Sequence, residues 1–241
     1  MDCIIMTEQE ARLIEKSVAF AKANRTAIAR SLTDKTHYLP EQTPVSVFMS
    51  GSPGAGKTEV SKIFIQQLGE NTIRLDPDEL RVEFEDYNGA NSYLFQKGVS
   101  LIVERTLDCI FKNGQSFILD GTFSSYPVAN KNIKRSLDRD RSVLILFVYQ
   151  EPELAWRFVQ ARARLEGRRI LPETFVEQFF GAQQVIAQIK HEYGNRIKVD
   201  VVIKNNDGTI QSYHENVQNV TDYLRLKTSR EALQEMVALT D

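Results

Sequence analysis

The feature that most constrains this chain is a glycine-rich octapeptide that directly follows a short apolar segment. Val45 to Ser50 is typical of a buried strand, and the next residues are Gly51, Ser52, Pro53, Gly54, Ala55, Gly56, Lys57 and Thr58. They match GxxxxGK[ST] in the strand, loop and helix context that this pattern requires. Glycines let successive backbone amides turn toward phosphate oxygens, and the start of the following helix adds positive potential. The sequence therefore predicts a nucleotide-binding P-loop.

Two P-loop side chains have separate expected roles. Lys57 supplies a mobile positive charge for the phosphates, and Thr58 supplies a hydroxyl ligand for magnesium. Signatures of other P-loop classes are missing from the sequence: there is no NKxD for guanine, no DxxG after the third predicted strand and no LSGGQ-type signature. A GTPase and a transporter ATPase are therefore disfavoured, and a compact phosphotransferase is favoured.

Five short apolar segments alternate with helical patterns along the chain. The predicted strands are Val45 to Ser50, Thr72 to Asp76, Phe117 to Asp120, Val143 to Tyr149 and Val199 to Lys204. The predicted helices between them are Lys57 to Leu68, Leu94 to Lys112, Ala129 to Asp138, Glu153 to Arg164 and Pro172 to Tyr193. Because several strands are apolar throughout, we expect an α/β fold whose parallel sheet is covered on both faces. The expected P-loop kinase sheet has five strands in the order 2-3-1-4-5.

Helical segments are predicted at both ends of this core. Thr7 and Glu10 have the spacing of a capping box, which predicts a helix from Thr7 to about Ser31. This helix could pack on the flank of the sheet, inhibit the core in cis or dock a partner. A last helix is predicted near Val217 to Val237, with a possible division at Thr228 and Ser229. We expect one domain over 1–241, made of an extension at 1–40, a nucleotide-binding core at 45–208 and a helical segment at 209–241.

Net charge and cysteine content limit which binding partners and which cellular compartment we expect for this protein. Thirty Lys and Arg residues against 32 Asp and Glu residues leave a formal charge of −2, so no basic field attracts nucleic acid or an anionic membrane. The longest apolar run, Val143 to Tyr149, is far shorter than the roughly 20 residues that cross a bilayer. Cys3 and Cys109 are far apart and lack metal-binding spacing, so we expect a cytoplasmic protein.

Acidic residues follow the second and third predicted strands, where a parallel sheet lines its ligand crevice. Asp76 and Asp78 come after the second strand, and Asp120, Gly121 and Thr122 end the third. A kinase that acts on a hydroxyl needs a carboxylate that accepts the hydroxyl proton. Either acid of the first pair could do this, although the pair could also simply cap a helix. Asp120 could be a Walker B residue, a substrate contact or a turn residue.

Other candidates have both a functional and a structural interpretation. Four arginines surround the end of the fourth predicted core helix and could neutralise a transferring phosphate, or could belong to a solvated helix end. They are Arg162, Arg164, Arg168 and Arg169. Glu104 lies on the polar side of its helix, so periodicity alone predicts a solvated side chain. Asn205 to Gly208 form an adenine-side loop or, as we favour, an ordinary turn.

Together these residues resemble the zeta toxin family, P-loop kinases related to the chloramphenicol phosphotransferases. The similarity runs from about Val45 to Gly208. It consists of the GxPGxGKT loop, the D-x-D after the second strand, a Glu sixteen residues before D-G-T, and an Arg-rich segment with an Arg three residues before Pro. The family uses ATP and magnesium to phosphorylate the 3'-hydroxyl of UDP-N-acetylglucosamine and acts as a toxin, and many members pair with an antitoxin.

The resemblance implies roles for individual residues. Lys57 and Thr58 would bind phosphate and magnesium, and Asp78 would be the general base. The implied sugar-nucleotide contacts are Glu104, Asp120 and Thr122. The implied phosphate contacts are Arg164 and Arg169, with Arg162 and Arg168 as alternatives. The family's usual His-Pro after D-x-D is absent, and Ser124 stands where an Arg is common. Both departures concern the acceptor and leave phosphoryl transfer intact.

The sequence therefore predicts an ATP-dependent kinase that phosphorylates a hydroxyl, with UDP-N-acetylglucosamine as first-choice acceptor and an antitoxin as possible protein partner. Another small molecule, such as an antibiotic or a nucleoside, is the alternative acceptor. An ATP-binding switch that transfers no phosphate is the alternative from a different class. A polynucleotide kinase is disfavoured because the chain is near neutral and lacks aromatics placed to stack bases.

Overall fold

A six-stranded sheet forms the centre of the fold. The computed structural model describes residues 6–69, 71–167, 170–224 and 227–239. The strands are β1 Val45–Ser50, β2 Ile73–Leu75, β3 Phe117–Leu119, β4 Ser142–Tyr149, β5 Lys198–Lys204 and β6 Ile210–His214, in the order β2-β3-β1-β4-β5-β6. The first five are parallel, which confirms the predicted order. β6 was not predicted and pairs antiparallel with β5.

In the described part of the chain, five helices connect the strands at nearly the predicted positions, and two further helices precede and follow the sheet. They are α1 Glu8–Leu32, α2 Lys57–Leu68, α3 Gln96–Asn113, α4 Tyr126–Leu137, α5 Pro152–Glu166, α6 Pro172–Tyr193 and α7 Arg230–Leu239. Short 3₁₀ turns occupy Glu79–Glu83, Ser92–Phe95, Gly194–Arg196 and Val220–Tyr223. Across the described ranges, none of the helices combines the length and the apolar character needed to span a bilayer.

The C-terminal segment differs from the single helix predicted near Val217 to Val237. Among the residues of this segment that the structure describes, the 3₁₀ turn Val220–Tyr223 and the separate helix α7 are helical. The Asn219 side chain accepts a hydrogen bond from the Thr221 amide at 3.1 Å, and Ser229 Oγ accepts one from the Ala232 amide at 3.1 Å. Each side chain caps a new helical start, so the helix is divided near the predicted point.

Residues that alternate along the strands pack on opposite faces of the sheet. In β1, Phe48 belongs to a large apolar cluster with residues of α3, α4 and α6, whereas Val47 and Met49 pack on the other face with Val60 of α2. All three β1 side chains are about 1% exposed. A parallel strand covered on both faces needs apolar residues at every position, as the sequence indicated.

The N-terminal helix α1 packs on α3. Its predicted capping box is confirmed, since Thr7 and Glu10 each bond the other's backbone amide. The buried side of α1 includes Ala21 and Ala29, each 0% exposed. Gly98 of α3 allows close contact, because a Cβ there would lie 2.9 Å from the Ser17 carbonyl oxygen. These contacts are consistent with the first of the three alternatives, in which the helix packs on the flank of the core. Inhibition in cis and docking of a partner stay hypotheses.

Replacing Gly98 with alanine should destabilise the protein, although the same change at an open helix position stabilises by about 1 kcal/mol. A Cβ would press against the Ser17 carbonyl and, at 3.0 Å, against the Phe84 ring. We expect overpacking to lower the free energy of unfolding by about 1–3 kcal/mol, measured by urea denaturation. Ser100→Ala, at an exposed position of α3, should change it by less than about 0.5 kcal/mol. A more stable Gly98→Ala protein would contradict the close α1–α3 contact.

Candidate active site

The P-loop packs backbone against backbone at the carboxyl edge of the sheet. Gly51, Gly54 and Gly56 have φ values of +139°, +73° and +85°, which favour glycine. A Cβ on Gly51 would lie 2.3 Å from the Val148 carbonyl oxygen of β4, and one on Gly54 would lie 2.1 Å from the Ala155 carbonyl oxygen of α5. The glycines therefore permit both the turn and its position against the neighbouring elements.

The Lys57 side chain lies over the loop that precedes it. Its Nζ donates to the Ser52 carbonyl oxygen at 2.7 Å and to the Gly51 carbonyl oxygen at 3.1 Å. Lys57 and Thr58 are half-buried at the start of α2, and the Thr58 carbonyl accepts a hydrogen bond from Ser61 Oγ at 3.0 Å. The ammonium group thus lies at the loop and not in the apolar core, as expected for a phosphate-binding lysine.

The segment after β3 is hydrogen-bonded to the start of the P-loop. The Thr122 carbonyl oxygen accepts from the Gly51 amide at 3.3 Å and from Ser50 Oγ at 3.3 Å. Thr122 Oγ1 lies 3.0 Å from Ser124 Oγ. Phe123 has φ +57°, a left-handed conformation that costs free energy for a bulky residue and concentrates at functional sites. The predicted substrate residue Thr122 is therefore adjacent to the P-loop.

Asp120 lies in a buried ionic cluster that the sequence did not reveal. Arg74 of β2 donates from Nη2 to Asp120 at 2.8 Å and to Asp76 at 2.6 Å, and from Nε to Ser61 Oγ at 2.9 Å. Ser61 Oγ lies 2.8 Å from Asp120 Oδ2 and shares its single proton between this carboxylate and the Thr58 carbonyl. The Asp120 side chain is 3% exposed. The expectation that this carboxylate contacts a sugar nucleotide stays a prediction, since in this structure its Oδ2 atom bonds protein groups.

The two acids of the D-x-D segment have different surroundings. Asp76 is 8% exposed and accepts from the Asp78 amide at 2.8 Å. Burial raises the pKa of Asp76, and the nearby charges of Asp120 and Asp78 raise it further. Asp78 is 37% exposed and forms an ion pair with Arg81. One carboxylate is therefore enclosed within the protein, and the other is partly exposed to solvent.

Two further predicted site residues lie in exposed surroundings. Glu104 of α3 is 52% exposed and forms an ion pair with Lys131 of α4, consistent with the polar helix face that periodicity indicated. Arg164 is exposed in the last turn of α5. It lies nine residues after Ala155, which corresponds to about 14 Å along the helix axis from the P-loop contact. Arg162 is also exposed, and Arg168 and Arg169 lie outside the described residues.

Sequence reasoning missed three polar residues of this region. The sequence did contain a signal for Arg74, because it stands between Ile73 and Leu75 in a buried strand. A charged side chain at such a position needs a partner of opposite charge. Ser61 had no distinguishing pattern. Lys204 ends β5 with only 7% exposure, and its Cε would lie 3.3 Å from a Cβ on Gly56. The end of β5 therefore also reaches the P-loop.

A family model and a curated relative match this chain. The family model described as Zeta toxin matches residues 28–218. Toxin PezT of Streptococcus pneumoniae serotype 4 is 22% identical over 138 residues, which are 54% of this chain and 54% of PezT. The chain therefore matches about half the length of this curated relative.

Two solved structures have a similar fold. A structure of the PezAT chromosomal toxin-antitoxin system of Streptococcus pneumoniae has a TM-score of 0.64 at 15% identity, covering 92% of this chain and 93% of that chain. The AvrRxo1-ORF1:-ORF2 complex with ATP has a TM-score of 0.56 at 16% identity, covering 92% of this chain and 76% of that chain. At these identities the likeness concerns the fold.

Replacing Gly54 with alanine should weaken ATP binding. The new Cβ would meet the Ala155 backbone at 2.1 Å, so the loop would have to move away from α5. We expect an overpacking cost of about 1–3 kcal/mol, or about 5- to 150-fold in the dissociation constant measured by calorimetry. Gly121→Ala is the control, since no heavy atom lies within 4 Å of a Cβ there. Wild-type affinity in Gly54→Ala would show that this close approach does not shape the nucleotide site.

Proposed function

Since this chain belongs to the zeta toxin family, we propose that it is a phosphotransferase that moves the γ-phosphoryl group of ATP to a hydroxyl of a small molecule. One observation carries the proposal. Thr122 of the segment after β3 is bonded directly to the P-loop residue Gly51, and Asp120 of the same segment is joined to the D-x-D segment through Arg74. A phosphate donor site and an accessible carboxylate thus share one edge of the sheet.

The residues around α2 fit a magnesium ion that accompanies ATP. Thr58 offers a hydroxyl at the second position of α2, and hydroxyl, phosphate and water oxygens are the ligands that magnesium prefers. In the part of the chain that the structure describes, no three His, Cys, Asp or Glu side chains gather as a metal site. Such an arrangement suits an ion held by one or two protein oxygens and the substrate phosphates. When bound, the ion supplies charge neutralisation at the β- and γ-phosphates.

In the proposed reaction, Asp78 accepts the proton of the acceptor hydroxyl while the hydroxyl oxygen bonds to the γ-phosphorus. The bond between that phosphorus and the bridging oxygen breaks, and ADP leaves. Arg81 orients the Asp78 carboxylate through their ion pair. The P-loop amides and Lys57 stabilise the phosphate charges, and their preorganised positions are the main source of rate enhancement.

The first-choice acceptor is the 3'-hydroxyl of UDP-N-acetylglucosamine, and it rests on family membership alone. We propose that Glu104, Asp120 and Thr122 bind this sugar nucleotide and that Arg164 and Arg169 bind phosphate. Family membership and the likeness to a toxin-antitoxin structure also support an antitoxin as partner and a toxic role in the cytoplasm. Antibiotics and nucleosides are the alternative acceptors, and an ATP-binding switch is the alternative without phosphoryl transfer.

A panel of acceptors with γ-labelled ATP and magnesium tests the proposed reaction. We expect label in UDP-N-acetylglucosamine and none in UDP-N-acetylmuramic acid, whose 3'-oxygen is an ether and carries no proton. Label in an antibiotic or nucleoside would support the kinase activity and would identify a different acceptor. ATP binding with no labelled product from any acceptor would favour the switch.

Lys57→Ala should abolish phosphoryl transfer while the protein stays folded. The side chain is half-buried and bonds loop carbonyls, so its loss removes charge near the phosphates and little core packing. We expect a loss of about 10²-fold or more in kcat with a nearly unchanged melting temperature. Wild-type turnover by Lys57→Ala would reject the kinase assignment, and an unfolded variant would reject the peripheral role of the side chain.

Asp78→Asn should lose about 10²- to 10⁴-fold in kcat with nearly unchanged ATP affinity, because the amide keeps the shape and removes the proton acceptor. Asp76→Asn is the matched variant. Its carboxylate is enclosed and bonded to Arg74, so we expect a loss of stability larger than that of Asp78→Asn. Normal turnover by Asp78→Asn together with an inactive, folded Asp76→Asn would assign the general base to Asp76 instead of Asp78. Two active variants would remove both from the mechanism.

A further inference from the structure

One guanidinium connects three parts of the candidate site. Besides the bonds to Asp76, Asp120 and Ser61, Arg74 donates from Nη1 to Glu79 at 2.7 Å. Its partners therefore belong to the D-x-D segment with the following 3₁₀ turn, to the end of β3 and to helix α2. The Arg74 side chain is only 11% exposed, so its bonds to Asp76, Asp120 and Ser61 form in a region largely shielded from water, whereas Glu79 is 61% exposed.

The cluster depends on the charge of Arg74. Asp76 and Asp120 accept from the same Nη2 atom, and both are nearly buried, at 8% and 3% exposure. Two enclosed carboxylates this close repel each other unless a cation lies between them. Burial alone would lower the pKa of Arg74, but its hydrogen bonds to Glu79 and Asp120 and the adjacent negative charges outweigh burial and raise it. Arg74 is therefore a permanent cation.

We propose that Arg74 is a positioning residue for phosphoryl transfer, which holds the loop that carries Asp78 at a defined place relative to the P-loop helix. The connection runs from Ser61 of α2 through Asp120 and Arg74 to Asp76, whose Oδ1 accepts the Asp78 amide at 2.8 Å. Asp78 follows Asp76 by two residues, so a shift of Asp76 moves the proton acceptor. The kinetic part of this proposal rests on the proposed function.

Arginine suits this role because its planar guanidinium donates in fixed directions to several acceptors, whereas a lysine ammonium is a compact point charge. Arg74→Lys should keep the charge and lose part of the geometry. Arg74→Met should lose both while it keeps a similar apolar stem. The two variants therefore separate charge from geometry.

The chain offers a matched control in Arg141, which is 4% exposed. Arg141 donates to Ser46 Oγ at 2.7 Å and to the carbonyl oxygens of Val45 and Gln115 at 2.8 and 2.6 Å. These residues lie near the starts of β1 and β3, at the edge of the sheet opposite the P-loop. Arg141→Met should destabilise the fold, yet it should leave kcat per folded molecule unchanged.

The first measurement compares kcat and KM for ATP in Arg74→Met, Arg74→Lys and Arg141→Met, normalised to the folded fraction. Misplacement by about 1 Å can cost about 10²-fold, so we expect Arg74→Met to lose about 10- to 100-fold in kcat with little change in KM. Arg74→Lys should lie between Arg74→Met and wild type. A wild-type kcat in Arg74→Met would overturn the proposal while the proposed function stood. If Arg74→Met does not fold, Arg74→Lys decides by the same criterion.

The second measurement needs no activity, so it separates failure of this proposal from failure of the proposed function. Hydrogen exchange should speed up at residues 78–84 in Arg74→Met and in Arg74→Lys, and should stay at the wild-type rate there in Arg141→Met. Unchanged exchange in both Arg74 variants would overturn the positioning role. If the wild-type protein phosphorylates no acceptor, the proposed function fails and the exchange rates alone decide the role of Arg74.

Discussion

The rest of the site depends on the close approach of the P-loop backbone to β4 and α5. Glycine is required there because any side chain on Gly51 or Gly54 would collide with the carbonyl oxygen of Val148 or Ala155. This contact places the loop against β4, the neighbour of the central strand β1, and against the first turn of α5. Thr122 then bonds to Gly51 from the other side, so strands β3 and β4 enclose the loop. The position of the candidate phosphate site thus depends on packing against the sheet as well as on the P-loop sequence.

Two buried arginines show how the edges of the sheet differ. Arg74, near the carboxyl edge, is bonded to carboxylates, whereas Arg141, near the amino edge, is bonded to carbonyl and hydroxyl oxygens. The acceptors around Arg141 are two backbone carbonyls and the Ser46 hydroxyl, and none of these residues belongs to the candidate site. The acids around Arg74 lie in or beside the segments that carry the candidate chemistry. The same residue type therefore bonds strand-edge oxygens at one edge, and at the other edge it bonds the acids of the candidate site, which we propose it positions.

Local patterns in the sequence predicted most of the fold. The strand positions and the capping box of α1 depend on neighbouring residues, and the strand order was expected from the P-loop kinase fold that the glycine-rich octapeptide indicates. The order and the capping box were confirmed. β6 was missed because Ile210 to His214 form a short, mostly polar edge strand, without the apolar run that marks the inner strands. The last helix was wrong in its first part because Asn219 and Ser229 start new helical segments there.

The candidate site was less predictable than the fold because its bonds join distant segments. Arg74 and Asp120 are 46 residues apart in the sequence, and neither shows in its own segment that the other is its partner. The D-x-D pair shows the same limit. Residue type and spacing left both acids possible, the family resemblance favoured Asp78, and the tertiary structure shows that Asp76 is enclosed and Asp78 is more exposed. Burial and charge pairing, which decide such roles, are properties of the assembled fold.

Mass spectrometry of a small-metabolite extract after incubation with ATP and magnesium tests the central claim most directly, because it assumes no acceptor. The account predicts that one metabolite pool gains the mass of one phosphoryl group in the presence of the wild-type protein and stays unchanged with Lys57→Ala. An extract in which every metabolite keeps its mass, although the wild-type protein is folded and binds ATP, would contradict it.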